Sequence, residues 1–192
     1  MSKTPTKTDS NQFKHREITT PGKDHQGISK TIYSHIKTIH DLLTEWVKVR
    51  DKGVRFCRAI SALKLYECVD DYYPSQLKTI MESMLEILDA FKNIIDAIKI
   101  LDSQVQALAK LQPGPEPLFS SWPVSEISKT VTQLFDALHK EYSLKKVIIE
   151  NVAHCRDEHL IEVYLSSWEF EVYFNIQSYS FLFAEVGVIS AL

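Results

Sequence analysis

The 192-residue sequence holds five Gly and seven Pro, few breakers for so long a chain. Its three cysteines, Cys57, Cys68 and Cys155, show no metal-type spacing. So low a count argues against a disulfide-built secreted scaffold and fits a reducing compartment. Long apolar runs are missing too: the longest uncharged one, Val172 to Ala184, is too short to span a bilayer. No Arg-rich or apolar targeting segment opens the chain. Glycine-rich phosphate loops, His-Glu-x-x-His, Cys-x-x-Cys and Gly-x-Ser-x-Gly are all absent. The expectation is therefore a non-enzymatic, intracellular protein without a cofactor. With 44% apolar and 24% charged residues it has the composition of a soluble globular domain plus tails.

Charge is distributed unevenly. Residues 1–30 hold six Lys/Arg against three Asp/Glu, and residues 31–156 hold sixteen of each. Residues 157–192 hold six acids and no Lys or Arg. A general nucleic-acid binder needs a basic face to neutralise phosphates, and only a weakly basic tail is present, so direct DNA binding is disfavoured. The acidic end reads either as a solvated face or as a surface for basic protein partners.

Residues 1–26 are rich in Ser, Thr, Lys and Gln, have no apolar periodicity, and read as a disordered basic tail. Within it, Thr4-Pro5-Thr6-Lys7 and Thr20-Pro21-Gly22-Lys23 fit the pattern of proline-directed kinase sites. Phosphate on Thr4 or Thr20 adds roughly two negative charges and reverses the sign of the tail.

Three long helices are predicted, near 27–69, 75–111 and 124–154. The first carries Ile28, Ile32, Ile39, Leu42, Trp46, Val49, Phe56, Ile60 and Leu63 on steps of three and four, interrupted by His35 and Gly53. Gly53 costs about 1 kcal/mol relative to Ala inside a helix, so it marks a bend or a close approach of another chain segment. The second helix repeats Ile80, Met84, Ile87, Phe91, Ile94, Ile98, Leu101, Val105 and Leu108, with Leu77, Met81, Leu88 and Ile95 widening the stripe. On the third, Val124, Ile127, Val131, Leu134, Leu138, Tyr142, Ile149 and Val152 form the stripe, and Lys145 is its one polar member. The fold class is all-α: a long antiparallel helical hairpin or coiled-coil-like bundle with a third helix and short C-terminal elements. Whether the seams close within one chain or in a homo- or hetero-oligomer is open at this level.

Two segments resist the helical pattern. The Pro-rich loop 112–123 contains Leu118, Phe119 and Trp122 before Pro123. A loop belongs on the surface, yet Phe and Trp gain by leaving water, so it either folds back on the bundle or docks onto a partner. The acidic aromatic segment 157–192 opens with a short fourth helix that Asp157 can cap, carrying Leu160, Ile161, Tyr164, Leu165 and Trp168. A strand over 170–174 and a final helix follow. His154, Cys155 and His159 fall short of a closed four-ligand zinc site.

The residues bear a family likeness. Leu42, Trp46, Gly53, Ile60, Leu63 and Lys64 supply its first part, and Pro117-Leu118-Phe119-x-x-Trp122-Pro123 its second. The third runs from Leu144-Lys145 through Ala153-His154-x-x-Asp157-x-x-Leu160 to Tyr164-Leu165-Ser166-x-Trp168, and Ala191-Leu192 closes it. In this the chain resembles the cyclin-dependent kinase 2-interacting protein family. It departs after Trp168, where Glu169-Phe170-Glu171-Val172-Tyr173 replaces a His-Gln-Pro-Tyr-like turn. The resemblance implies a nuclear adaptor without catalysis, with a cytoplasmic pool also compatible. Its implied partners are a cyclin-dependent kinase, the Dbf4-dependent kinase, the damage-checkpoint kinase complex and AAA-type ATPase subunits. The ATPase assembly would serve replisome proteostasis and large ribosomal subunit maturation. Leu118, Phe119, Trp122, Pro123, Tyr164, Leu165 and Trp168 are the expected protein-binding residues. The competing reading is a generic coiled-coil subunit of a cytoskeletal, spindle or tethering complex.

Overall fold

The computed structural model describes residues 21–67 and 73–188. Their architecture is all-α. Helix α1 spans Pro21–Ala62 and runs on as a wider π-helical turn, Leu63–Glu67. Helices α2 (Ser75–Leu111), α3 (Val124–Val152) and α4 (Glu158–Phe170) follow, then a 3-10 turn, Ile176–Tyr179, and α5 (Ser180–Val186). The start of α1 corrects the expected boundary at 27: residues 21–26 belong to the helix, whose first turn accommodates Pro21 because proline's fixed φ suits that position. The strand expected over 170–174 is also corrected, since the described residues contain no strand. Thr4, Thr20, Cys68, Asp70, Asp71, Ala191 and Leu192 lie outside the described residues.

Local chemistry sets the helix ends. Pro74 and Pro123 precede α2 and α3, and their carbonyls accept from Leu77 N–H at 2.9 Å and Glu126 N–H at 3.1 Å. Asp157 caps α4 by accepting from the Leu160 N–H at 3.2 Å. Gly187, at φ 80, ends α5 in the left-handed conformation, and Val188 N–H reaches back to Phe183 O at 2.8 Å.

Three antiparallel relations build the bundle. Trp46 of α1 meets Phe91 of α2, with ring centroids 4.3 Å apart. Along α2 and α3, Tyr73 stacks near His154, Lys145 lies over Phe91, and Thr132 bonds Asp102, so the two run in opposite directions. The C-terminal segment runs back along α1: Lys64 donates to Ala153 O, Trp168 lies against Gly53, and Phe183 meets His40. Helix α2 packs on both α1 and α3, and α4 packs on both from the other side. The segment 158–186 is thus a broken fourth column, and the apolar seams close within one chain.

The predicted stripes supply much of the core. Ile32, Ile39, Trp46, Ile60, Met84, Ile87, Phe91, Ile94, Ile98, Val131, Leu134 and Leu138 are all buried. Fully burying one large apolar side chain contributes about 1.5–3 kcal/mol. A polar knot ties α2 to α3: the Thr132 hydroxyl donates to Asp102 at 2.7 Å, and Gln106 donates to the other Asp102 oxygen at 2.8 Å. No helix of the described residues is long and apolar enough to cross a membrane.

Candidate interaction site

The Pro-rich loop folds back on the bundle. Leu118 N–H donates to Trp122 O at 2.9 Å, closing a tight loop. Glu185 of α5 then receives three bonds, from Ser121 N–H at 2.5 Å, Trp122 N–H at 2.8 Å and the Ser121 hydroxyl at 2.9 Å. Partial burial alone would raise the Glu185 carboxyl, but the Ser121 and Trp122 donors outweigh it and hold it below the ordinary glutamate value. Leu118, Phe119 and Trp122 are half-buried against the core, and Pro123 leads into α3. Each keeps part of its surface in solvent.

The second motif element lies elsewhere. Tyr164 and Leu165 are half-buried on α4. Trp168 is fully enclosed and offers no surface to a partner in this fold, which corrects its expected role as a docking residue. An indole of that size is buried here because Gly53 leaves room for it: a Cβ at Gly53 would stand 2.5 Å from Trp168 Cζ2. Trp168 Nε1–H also donates to Arg50 O at 3.4 Å. The close approach expected at Gly53 therefore comes from the chain's own α4. The anchor points of the two elements on α1, beside His40 and at Gly53, are about 20 Å apart at 1.5 Å per residue. The seven expected binding residues thus do not form one patch.

Between the two elements is a buried ionic cluster. Lys145 of α3 is fully buried, with its Nζ 3.2 Å from Glu141 Oε1 and 3.8 Å from Glu171 Oε1. It donates to Trp168 O at 3.1 Å and sits 4.8 Å from the Trp168 ring centroid. Burial pushes the Lys145 ammonium below its ordinary value, and the two carboxylates pull it part of the way back. The same Glu171 Oε1 accepts from Trp46 Nε1–H at 2.6 Å, and Arg50 donates to Glu171 Oε2 at 3.1 Å. Glu141 accepts from Tyr173 N–H at 2.8 Å. Lys145 and Arg50 thus answer the two buried carboxylates, as a buried charge requires, and Arg50 also bonds the exposed Asp51 at 2.9 Å. Among the described residues Glu171 is the non-glycine residue with positive φ, 51°, and that turn aims its carboxylate inward.

These contacts explain the charge asymmetry. Residues 48–64 hold Lys48, Arg50, Lys52, Arg55, Arg58 and Lys64 against Asp51 alone. The acidic C-terminal column lies on that half of α1, with Arg58 pairing with Glu169 at 3.0 Å and Arg50 with Glu171. Part of the acidic end is therefore answered within the chain. Sequence reasoning missed Arg50, Glu141, Glu171 and Glu185; the one visible signal was Lys145, a cation in an apolar stripe. Among the described residues no group of three or more His, Cys, Asp or Glu could hold a metal ion.

The fold and site define a single-chain helical bundle whose fourth column is held by a buried ionic cluster and a carboxylate-clamped aromatic loop. No family profile matches the chain. It is similar to curated proteins named cyclin-dependent kinase 2-interacting protein. The cattle (Bos taurus) protein is 24% identical over 74% of this chain and 80% of its own length. The mouse (Mus musculus) protein is 25% identical over 84% and 89%, and the human (Homo sapiens) protein 25% over 72% and 78%. These matches support membership of the cyclin-dependent kinase 2-interacting protein family, as the motifs implied.

Proposed function

We propose that the chain is a non-enzymatic adaptor that binds a cyclin-dependent kinase and links it to other assemblies. The observation that carries this reading is the match to relatives named for that interaction over more than two thirds of the chain. In this reading the bundle is a rigid scaffold and its partners perform the chemistry. The finer proposal is a nuclear role in DNA replication and checkpoint signalling, with contacts to the Dbf4-dependent kinase and the checkpoint kinase complex. As a subunit of an AAA-type ATPase complex it would also serve replisome proteostasis and large ribosomal subunit maturation. Phosphorylation of Thr4 and Thr20 by a proline-directed kinase belongs to the same proposal.

The test is co-precipitation of the purified full chain with a cyclin-dependent kinase 2–cyclin complex, with the cattle protein alongside. Retention of the kinase by both supports the reading; retention by the cattle protein alone refutes it. Affinity purification with partner identification, together with imaging of the tagged chain, decides the finer roles. Recovery of AAA-type ATPase subunits from nuclei is the expected result. A reproducible cytoskeletal or tethering set with nuclear exclusion would favour the coiled-coil subunit instead. The burial of the helical seams within one chain weighs against that alternative, because a seam already covered cannot zip to another helix.

A further inference from the structure

The short stretch that begins at the last residue of α4 exposes what a folded chain ordinarily hides. Phe170 is 78% exposed, Val172 59% and Tyr173 53%, while Val147 on neighbouring α3 is 48% exposed. Single exposed apolar residues need no explanation, but a cluster of large ones marks an interaction site. The cause of the exposure is visible. At Glu171 the backbone turns to φ 51 and the carboxylate, not an apolar side chain, takes the inward place. Trp46, Arg50 and Lys145 fix that carboxylate, and Glu141 holds the Tyr173 N–H. The ridge cannot sink into the core without unseating a buried charge. It is held ready in its exposed form, which lowers the ordering cost of binding.

A cleft flanks the ridge on each side. One, of about 400 Å³, lies between α1 and α4, where Arg50, Arg55 and Arg58, the carboxylates Asp51 and Glu169, and Val54 line it with Phe170. The other, of about 520 Å³, lies beside α3 and is lined by Lys140, Leu144 and Val147 with Tyr173. In the first cleft Asp51 pairs with Arg50 and Glu169 with Arg58, which leaves Arg55 as the cation in excess there, and Lys140 is the charged residue of the second. Arg55 and Lys140 make no ion pair among the described residues, and Arg58 is 72% exposed, so its pair with Glu169 is weak in water.

We infer that the Phe170–Tyr173 ridge is a docking surface for an acidic segment of a protein partner. Apolar side chains of that segment enter the two clefts beside Phe170 and Tyr173, and its carboxylates meet Arg55, Arg58 and Lys140. Charge complementarity selects this occupant: apolar ridges with cationic rims attract acidic partners and repel basic ones. The inference goes beyond the adaptor reading, because it names a surface and a chemistry whatever partner supplies them.

The test is selection of a displayed library of random peptides on the intact chain. Enriched peptides are then titrated against the wild type, Phe170→Ser/Tyr173→Ser, Arg55→Glu and Lys140→Glu. All four positions are exposed, and circular dichroism checks that each variant keeps its helices. Enriched peptides should combine Asp/Glu with Leu, Phe or Trp. Their affinity should fall about tenfold or more in the double variant and about threefold in each charge variant, with the charge effects shrinking in high salt. No enrichment, enrichment of basic or uncharged peptides, or binding indifferent to the variants overturns the inference. So does a dimer of the chain that the double variant dissolves, which would give the ridge to a second copy. Kinase retention on the same samples is a separate readout: its absence from wild type sinks the adaptor reading and leaves the peptide result standing.

Discussion

Replacing Gly53 with Ala tests the close approach of α1 and α4. The added Cβ would stand 2.5 Å from Trp168 Cζ2, 2.6 Å from Nε1 and 2.7 Å from Cε2. Carbon atoms rest at about 3.5–4.0 Å, so the ring must retreat by about 1 Å. It has nowhere to go. Trp168 is fully buried, Lys145 Nζ lies 4.8 Å from its ring centroid, and its carbonyl holds that same ammonium. Overpacking of a filled core costs about 1–3 kcal/mol, and a rigid indole tied to a buried charge belongs at the upper end. Against this, Ala gains about 1 kcal/mol of helix propensity over Gly. The net loss is about 1–2 kcal/mol, a fall in Tm of about 2–8 °C for a chain of this size. Thermal unfolding followed by far-ultraviolet circular dichroism reads it directly. Gly27→Ala is the control: it lies in the same helix with nothing within 4 Å of its would-be Cβ, and should raise Tm. In a Trp168→Leu background, Gly53→Ala should turn from destabilising to stabilising, because the obstructing ring is gone. A Tm for Gly53→Ala at or above wild type, or no change of sign in that background, would refute the packing argument.

Lys145→Met should cost about 3–5 kcal/mol in urea denaturation, since it leaves Glu141 and Glu171 buried without their ammonium; a loss no larger than that of Lys92→Met at the exposed Lys92–Asp96 pair would contradict the cluster. Glu185→Gln should loosen the aromatic loop, read as faster amide exchange at Ser121 and Trp122. Because the folded Glu185 value is depressed, its stabilisation is full above the ordinary glutamate value and drains as pH falls through the folded value; unchanged protection of both amides on acidification would exclude the clamp. Burial pushes the Cys57 thiol up to about 12, so iodoacetamide near pH 8 should alkylate the half-buried Cys155 and spare Cys57. Peptide mass spectrometry checks the ratio, and equal labelling at native conditions would contradict the burial.

The helices were legible because their signal is local. The α2 stripe needed only the periodicity of its own residues, and the Asp157 cap only the three residues after it. Register on α1 was less clear: Ile36, Leu43 and Cys57 are buried, whereas Leu42 and Phe56 of the predicted stripe are half-buried. A helix between α2 on one side and α4 and α5 on the other buries two adjacent lines, and a single seam captures only one. The alternation across 170–174 imitated a strand, but it records a chain passing over a charge cluster, with Glu171 inward and its neighbours outward. Polar partners were illegible because the chain separates them. Arg50 and Glu171 are 121 residues apart, and Trp122 and Glu185 are 63 apart. Nothing in local composition pairs such residues; Lys145 showed only that some counter-charge had to arrive.

The position of Trp168 decides how interface variants must be chosen. The two motif elements that carry the family likeness sit at the two junctions of the broken fourth column, the Pro-Leu-Phe-x-x-Trp-Pro loop on α5 and Tyr-Leu-Ser-x-Trp on α1. Their first task is to close the bundle. A Trp122→Ala/Trp168→Ala variant would lose partner binding whether or not either indole ever touches a partner, because removing a fully buried Trp costs about 3–5 kcal/mol. Such a variant should show a reduced helical signal and a lowered Tm, and its loss of binding would then report unfolding. Phe170 and Tyr173 separate the two effects, since their rings stand largely in solvent and their removal leaves the buried cluster in place. Binding lost in Phe170→Ser/Tyr173→Ser at an unchanged Tm can arise only at the surface. Binding lost only together with Tm would mean that the ridge supports the fold after all.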